Sequence, residues 1–166
     1  MTVRSRVWLS DVVVDFLLSE ADAAAPNETG GILLGYSAQD SWDTVVTHAI
    51  GPGPKAVHAL DRFAPDYDYQ DAEVARIYEE SNRQVSYLGD WHCHPKGCGR
   101  LSRTDKRTFR QIAECAAARV PEPVMLILTD GPDWAPVAWR GKIVRRFLWF
   151  PRFVTVPVDV ETFRAD

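Results

Sequence analysis

Apolar residues recur along the chain in two rhythms, one helical and one strand-like. Val12, Val13, Phe16 and Leu17 follow helical spacing and predict a helix near residues 10–25, after a strand near 4–9. Apolar and β-branched runs predict strands near 30–36, 43–50 and 57–63. A second helix is expected over about 67–82, with Tyr69, Ala72, Ala75, Arg76 and Tyr78–Glu79 on its faces. A strand over 85–94 ends at Pro95, and a helix over 103–118 follows, marked by Phe109, Ile112, Ala113, Ala116 and Ala117. Strands near 123–129, 134–140 and 143–150 complete the core, and the segment carrying Pro151 and Pro157 reads as a tail or an edge strand. Strands and helices so interleaved argue for an α/β sandwich, a central mixed sheet flanked by helices. The 166 residues are expected to form a single domain, with its core over about 5–150.

The candidate chemistry falls where the fifth strand ends. His92-Cys93-His94-Pro95 places two imidazoles two residues apart, so on a strand both point to one side. After the turn-rich Lys96-Gly97-Cys98-Gly99, Ser102 can cap a helix whose first turn holds Asp105. Two imidazoles and a carboxylate can then converge on one ion. Three protein ligands with a fourth position left open is the arrangement of a catalytic zinc site. The pair His92 and His94 alone is weak evidence, because strand histidines are more often exposed or hydrogen-bonded in a core than bound to metal.

A second segment changes that balance. Asn27-Glu28-Thr29-Gly30-Gly31-Ile32-Leu33-Leu34-Gly35 follows the first helix and opens a strand. Its glycines suit close backbone approach. Glu28 stands where the chain leaves helix for sheet, as a solvated loop acid or as the general base that zinc chemistry requires.

Together the two segments resemble the JAMM (JAB/MPN) metalloproteases. That family's Glu-x-Gly-Gly-x-Leu-x-Gly is matched by Glu28, Gly30, Gly31, Leu33 and Gly35. Its His-x-His-Pro, six residues and Ser-x-x-Asp are matched by His92, His94, Pro95, Ser102 and Asp105. The likeness spans about 5–145 and departs at Cys93, where the family usually has Ser or Thr. On a strand that side chain faces away from the histidines, so packing is expected there. The resemblance implies a deaminase-like JAMM fold, Zn2+ held by His92, His94 and Asp105, Glu28 as base and Ser102 as donor to the oxyanion. It also implies substrates that are C-terminal tails of ubiquitin-like proteins joined to an amine. Phe63-Ala64-Pro65-Asp66, a Tyr-rich helix and Gly-Asp-Trp-His-x-His-Pro from Gly89 to Pro95 look most like small bacterial members of antiphage CBASS and ubiquitin-like conjugation systems. There an E1/E2-like enzyme attaches a CD-NTase or a ubiquitin-like protein to targets, and the protease removes it.

Composition adds limits. The chain is 46% apolar and 25% charged, ordinary for a globular protein. Its net charge of −4 gives no general attraction to nucleic acid or to anionic membrane. Arg140, Lys142, Arg145, Arg146 and Arg152 form a local basic group, read as a solvated strand face or as a contact for an acidic partner. Three cysteines (Cys93, Cys98, Cys115) without a Cys-x-x-Cys pair suggest reduced thiols and a cytoplasmic protein. Asp11 and Asp15 interrupt the apolar stretch after Arg4 and Arg6, so a folded helix is expected there and no targeting segment. No apolar run is long enough to span a membrane.

Four further positions stay open. His48 and His58 fall in predicted strands outside the motif. Asp90 reads as a partner behind the histidines or as a surface acid, and Trp91 as core. Three functions compete: an isopeptidase reversing protein conjugation, a peptidase trimming a sulphur-carrier tail, and a non-catalytic MPN scaffold. The scaffold class lacks the ligands present here. A zinc nucleobase deaminase is disfavoured because its His-x-Glu and Pro-Cys-x-x-Cys pattern is absent.

Overall fold

The structure is a computed structural model, and it describes residues 5–38, 42–145 and 150–165. Ser10 starts the first helix, α1 (Asp11–Ala24): its hydroxyl accepts from the Val13 amide at 3.2 Å. Val13, Leu17 and Ala21, spaced by four, turn inward against the sheet. Strand β1 (Arg6–Ser10) precedes it, and β2 (Gly30–Ser37) and β3 (Thr44–Ile50) follow as an antiparallel pair. A small hairpin comes next, β4 (Val57–His58) with β5 (Phe63–Ala64), then α2 (Tyr67–Glu80), capped by Asp66. Strand β6 (Ser86–His94), α3 (Arg103–Glu114), β7 (Val124–Thr129), β8 (Ala135–Val144) and β9 (Arg152–Phe163) complete the order.

The expected mixed sheet flanked by helices is present, and it closes on itself. Its order is β1-β3-β2-β6-β7-β8-β9, with β9 returning to β1. The pairs β1–β3, β1–β9 and β6–β7 are parallel; the others are antiparallel. Strand β7 is buried throughout because both its faces are covered. Val124, Leu126 and Leu128 join the core beneath α1, while Met125 and Ile127 pack with Leu101 and Phe109 beneath α3. Among the described residues no helix is long and apolar enough to cross a membrane.

Five expectations change. The strand over 57–63 shrinks to the two ends of the hairpin, because the Ala59 amide bonds the Arg62 carbonyl at 2.9 Å and turns the chain. The helix over 103–118 stops at Glu114; Cys115 is extended and Ala116–Ala118 form one 3-10 turn. Phe109 alone is deeply buried on α3, and the following alanines are too small to hold the helix onto the sheet. The strands over 134–140 and 143–150 are one strand as far as Val144, since Gly141 stays in register opposite Thr155; residues 146–149 lie outside the described residues. The segment with Pro157 is no tail or edge: β9 pairs on both sides, with β8 and with β1. Arg140 is not on a solvated face. It is buried and donates to the Trp42 carbonyl at 2.8 Å and the Thr44 hydroxyl at 2.7 Å, while Arg146 lies outside the described residues.

Phe109 pins α3, and so Asp105, to the sheet. Its side chain is fully buried, edge-on to Phe153 at 5.4 Å. Phe109→Ala is expected to cost about 3–4 kcal/mol in urea unfolding, the cost of an aromatic cavity that the sheet cannot refill. A loss below about 1 kcal/mol would show that α3 is held in another way.

A candidate metal centre at the end of β6

The geometry starts with one glycine. Gly89 has φ +146°, and the β2–β6 register slips there, so Leu33 faces Gly89 while Leu34 faces Tyr87. The extra residue lets Leu88 and Trp91 both enter the α1 core, with Cys93 beside them. Asp90, His92 and His94 therefore alternate onto the opposite side of β6. Trp91 is core, as expected, and its indole donates to the Ile50 carbonyl at 3.0 Å.

The same pairing delivers Glu28. Gly30 stands opposite His92, and the Cys93 amide donates to the Thr29 carbonyl at 2.9 Å, extending the ladder past the strand's start. Glu28 lies two residues before Gly30, near enough for the charges of His94, His92 and Asp105 to act on it. A Cβ at residue 30 would lie against the Trp91 carbonyl and 2.9 Å from His92 Cβ, so only glycine permits this approach.

Asp105 arrives from the other direction. The Ser102 hydroxyl accepts from the Asp105 amide at 3.1 Å, and Asp105 Oδ2 accepts from the Ser102 amide at 2.7 Å. This capping box fixes the carboxylate before any ion binds. His92 Nε2 lies 3.0 Å from His94 Nε2 and 3.4 Å from Asp105 Oδ1, and His94 Nε2 lies 3.7 Å from Asp105 Oδ2. Tetrahedral zinc with bonds of about 2.0–2.1 Å sets neighbouring donors roughly 3.3–3.4 Å apart, within the spread of these three distances. His94 Nδ1 lies 3.1 Å from the Cys98 carbonyl, which can only accept. The proton therefore sits on Nδ1, and the Nε2 lone pair is free to bind an ion. The residues present thus fit a divalent transition metal.

Charge follows the same layout. Burial works to raise the Asp105 pKa, but the hydrogen bond and charge of His92 and the bonds from Ser102 outweigh it and hold the carboxyl well below the usual range. Glu28 is raised, first by burial and further by Asp105 and Asp61, against the lowering charges of His94 and His92. Cys93 is fully buried; burial raises its thiol, and its Sγ accepts from the Thr29 amide at 3.3 Å. The expected packing role for Cys93 agrees with this placement.

Asp90 is half-buried and accepts from the Tyr87 hydroxyl at 2.8 Å. Burial pushes its carboxyl up to about 6, against the opposing Tyr87 bond and His92 charge. A carboxyl raised on folding costs nothing below its unfolded value near pH 4, and its full cost is present above pH 6. Asp90→Asn is therefore expected to stabilise the metal-free protein by about 1–2 kcal/mol at pH 8, discounted for partial exposure, and by only about a fifth of that near pH 4. Urea unfolding at both pH values measures this, and equal gains at both would contradict it.

Two contacts had no signal in the sequence. Cys98 orients His94 through a backbone carbonyl, for which residue identity carries no information. His58 bonds the Glu28 carbonyl at 3.0 Å, a contact that depends on the hairpin folding back. His48 stands apart from the centre. It lines a groove of about 550 Å³ between α1, β3 and α2 that contains none of the metal-centre residues.

A mixed sheet with flanking helices that brings a strand His-x-His and a helix-capping aspartate beside a glutamate at a strand's start is the architecture of a JAMM-type metalloprotease. The chain belongs to this family: residues 10–142 match the family of prokaryotic homologs of the JAB domain. It is 38% identical over 161 residues to the probable metalloprotease y4qB of Sinorhizobium fredii, covering 96% of this chain and 98% of that protein. It is 29% identical over 129 residues to a CD-NTase/cGAS isopeptidase of Enterobacter hormaechei, covering 76% of this chain and 68% of that protein. A similarly named isopeptidase of Escherichia coli is 24% identical over 139 residues. The solution structure of protein DSY2949 from Desulfitobacterium hafniense superposes with a TM-score of 0.64 at 19% identity, over 96% of this chain and 94% of that one, and shares the fold. The motif resemblance to JAMM proteases is borne out.

Proposed function

We propose that this protein is a zinc-dependent isopeptidase that cuts the amide between the C-terminus of a conjugated protein and a target amine. The conjugated protein is a CD-NTase or a ubiquitin-like protein, attached by an E1/E2-like enzyme in a bacterial antiviral system. The carrying observation is the convergence of His92, His94 and Asp105 within 4.8 Å, with Glu28 near enough for the charges of all three to act on it. The names of the Enterobacter and Escherichia relatives support the substrate class.

His92, His94 and Asp105 would hold the ion, and zinc there supplies a Lewis acid that polarises a carbonyl and acidifies water. Glu28 accepts the proton of the attacking water and returns it to the leaving amine. Ser102 accepts from the Asp105 amide through a lone pair, which leaves its hydroxyl hydrogen to donate to the oxyanion. His94 stays oriented by Cys98 throughout, and Asp105 by its capping box.

The test is cleavage of fusions by zinc-loaded protein, read by intact mass. The fusions join a CD-NTase C-terminus, a ubiquitin-like C-terminus or a sulphur-carrier C-terminus to a reporter amine. Cutting at the junction of the first or second supports the proposal. Cutting of the sulphur-carrier fusion alone would replace it with a tail-processing peptidase.

A further inference from the structure

We propose that the β4–β5 hairpin is the positioning element for Glu28, and that His58 is its working contact. This rests on the reading of Glu28 as the base. Glu28 lies outside any helix or strand, two residues before Gly30, the first residue of β2 that pairs with β6. Its two backbone polar groups are taken by consecutive hairpin residues. The Glu28 amide donates to the Ala59 carbonyl at 2.8 Å, and His58 Nδ1 lies 3.0 Å from the Glu28 carbonyl. A carbonyl only accepts, so Nδ1 is the donor.

The imidazole is itself held. It stacks on Phe63 across the hairpin at 5.8 Å, and Phe63 Cε1 lies 3.0 Å from where a Cβ of Gly30 would stand. The hairpin is thus seated on the start of β2. On the other flank, the Thr29 amide and carbonyl are tied to Cys93, between the two histidines. Glu28 is therefore suspended between two anchors, one in β6 and one in the hairpin. The hairpin turn also carries Asp61, whose charge helps raise the Glu28 pKa. Loss of the His58 bond leaves Glu28 a single hairpin contact and lets its carboxylate drift, and small misplacements of a reacting group are costly in rate.

The experiment uses the zinc-loaded full chain and compares His58→Phe, which keeps ring stacking but has no donor, with His58→Asn, whose side-chain amide nitrogen stands near the Nδ1 position. Native-state hydrogen exchange reads the Glu28 amide; zinc content and steady-state kinetics on the cleaved fusion accompany it. In His58→Phe, Glu28 amide protection is expected to fall about tenfold, with kcat down roughly 10- to 100-fold, KM within about twofold and zinc retained. His58→Asn restores both protection and kcat. In a Glu28→Gln background, His58→Phe should cost no further activity, whereas a merely structural role would cost the same in both backgrounds. Should His58→Phe fail to fold, His58→Gln replaces it, with its amide one bond too far out.

Unchanged Glu28 protection in the donor-less variant would overturn the inference, as would His58→Asn being as slow as His58→Phe. If protection behaves as expected but Glu28→Gln remains fully active, the base reading fails while the hairpin clasp stands.

Discussion

Glu28→Gln is expected to lower kcat by about three orders of magnitude while the protein still binds one zinc ion per chain. The substitution keeps size, shape and a hydrogen-bonding oxygen but removes the ability to take a proton. Both backbone contacts of residue 28, to Ala59 and to His58, are independent of its side chain, so the segment should keep its path. The three donor atoms come from β6 and α3, so metal affinity should change little. KM should move far less than kcat, because a proton-transfer residue acts in the transition state and not in binding. Turnover of the junction fusion with metal analysis of the same sample decides it. A Glu28→Gln protein with near-normal kcat would remove Glu28 from the chemistry.

Removing a donor should act on the ion itself. His94→Ala and Asp105→Asn are each expected to weaken zinc binding on the order of a hundredfold or more. Four-ligand zinc sites bind with about 10–16 kcal/mol, roughly 3 kcal/mol per ligand. Asp105→Asn is the sharper test. Its remaining side-chain oxygen can still accept from the Ser102 amide, so the capping box and the start of α3 survive while the charge is lost. Competition with a chelating dye gives the affinity, and the zinc-induced rise in Tm, large in the parent, should shrink in both variants. Wild-type affinity in Asp105→Asn would place the ion elsewhere.

What was legible in the sequence was what depends on local spacing. The helix over 10–25 was readable from Val12, Val13, Phe16 and Leu17, although Val12 itself proves exposed. The run from Gly89 to His94 carried its own alternation, and Ser102 with Asp105 spelled a helix start that the capping box realises. The illegible parts depend on distant partners. Gly141 and Pro157 look like breaks in isolation, yet Gly141 pairs with Thr155 and Pro157 with Trp139 inside continuous strands. Arg140 reads as a surface cation until Trp42 and Thr44 are brought to it from the far side of the sheet. The short hairpin defeated strand rules because its stability comes from resting on Gly30 and Glu28, and not from its own residues.

The parallel seam between β1 and β9 sets an order on how this chain is made. Arg6–Ser10 leave the ribosome well before their partners Asp159–Phe163. Every residue proposed for the metal centre is synthesised before that seam can close. For that interval β1 and β8 each carry a bare edge, and a bare edge is a template for another nascent copy. Closure between segments so far apart also carries a large entropic cost and is slow. Truncation before Arg152 should therefore leave a chain that holds every proposed zinc ligand and yet is lost to aggregation.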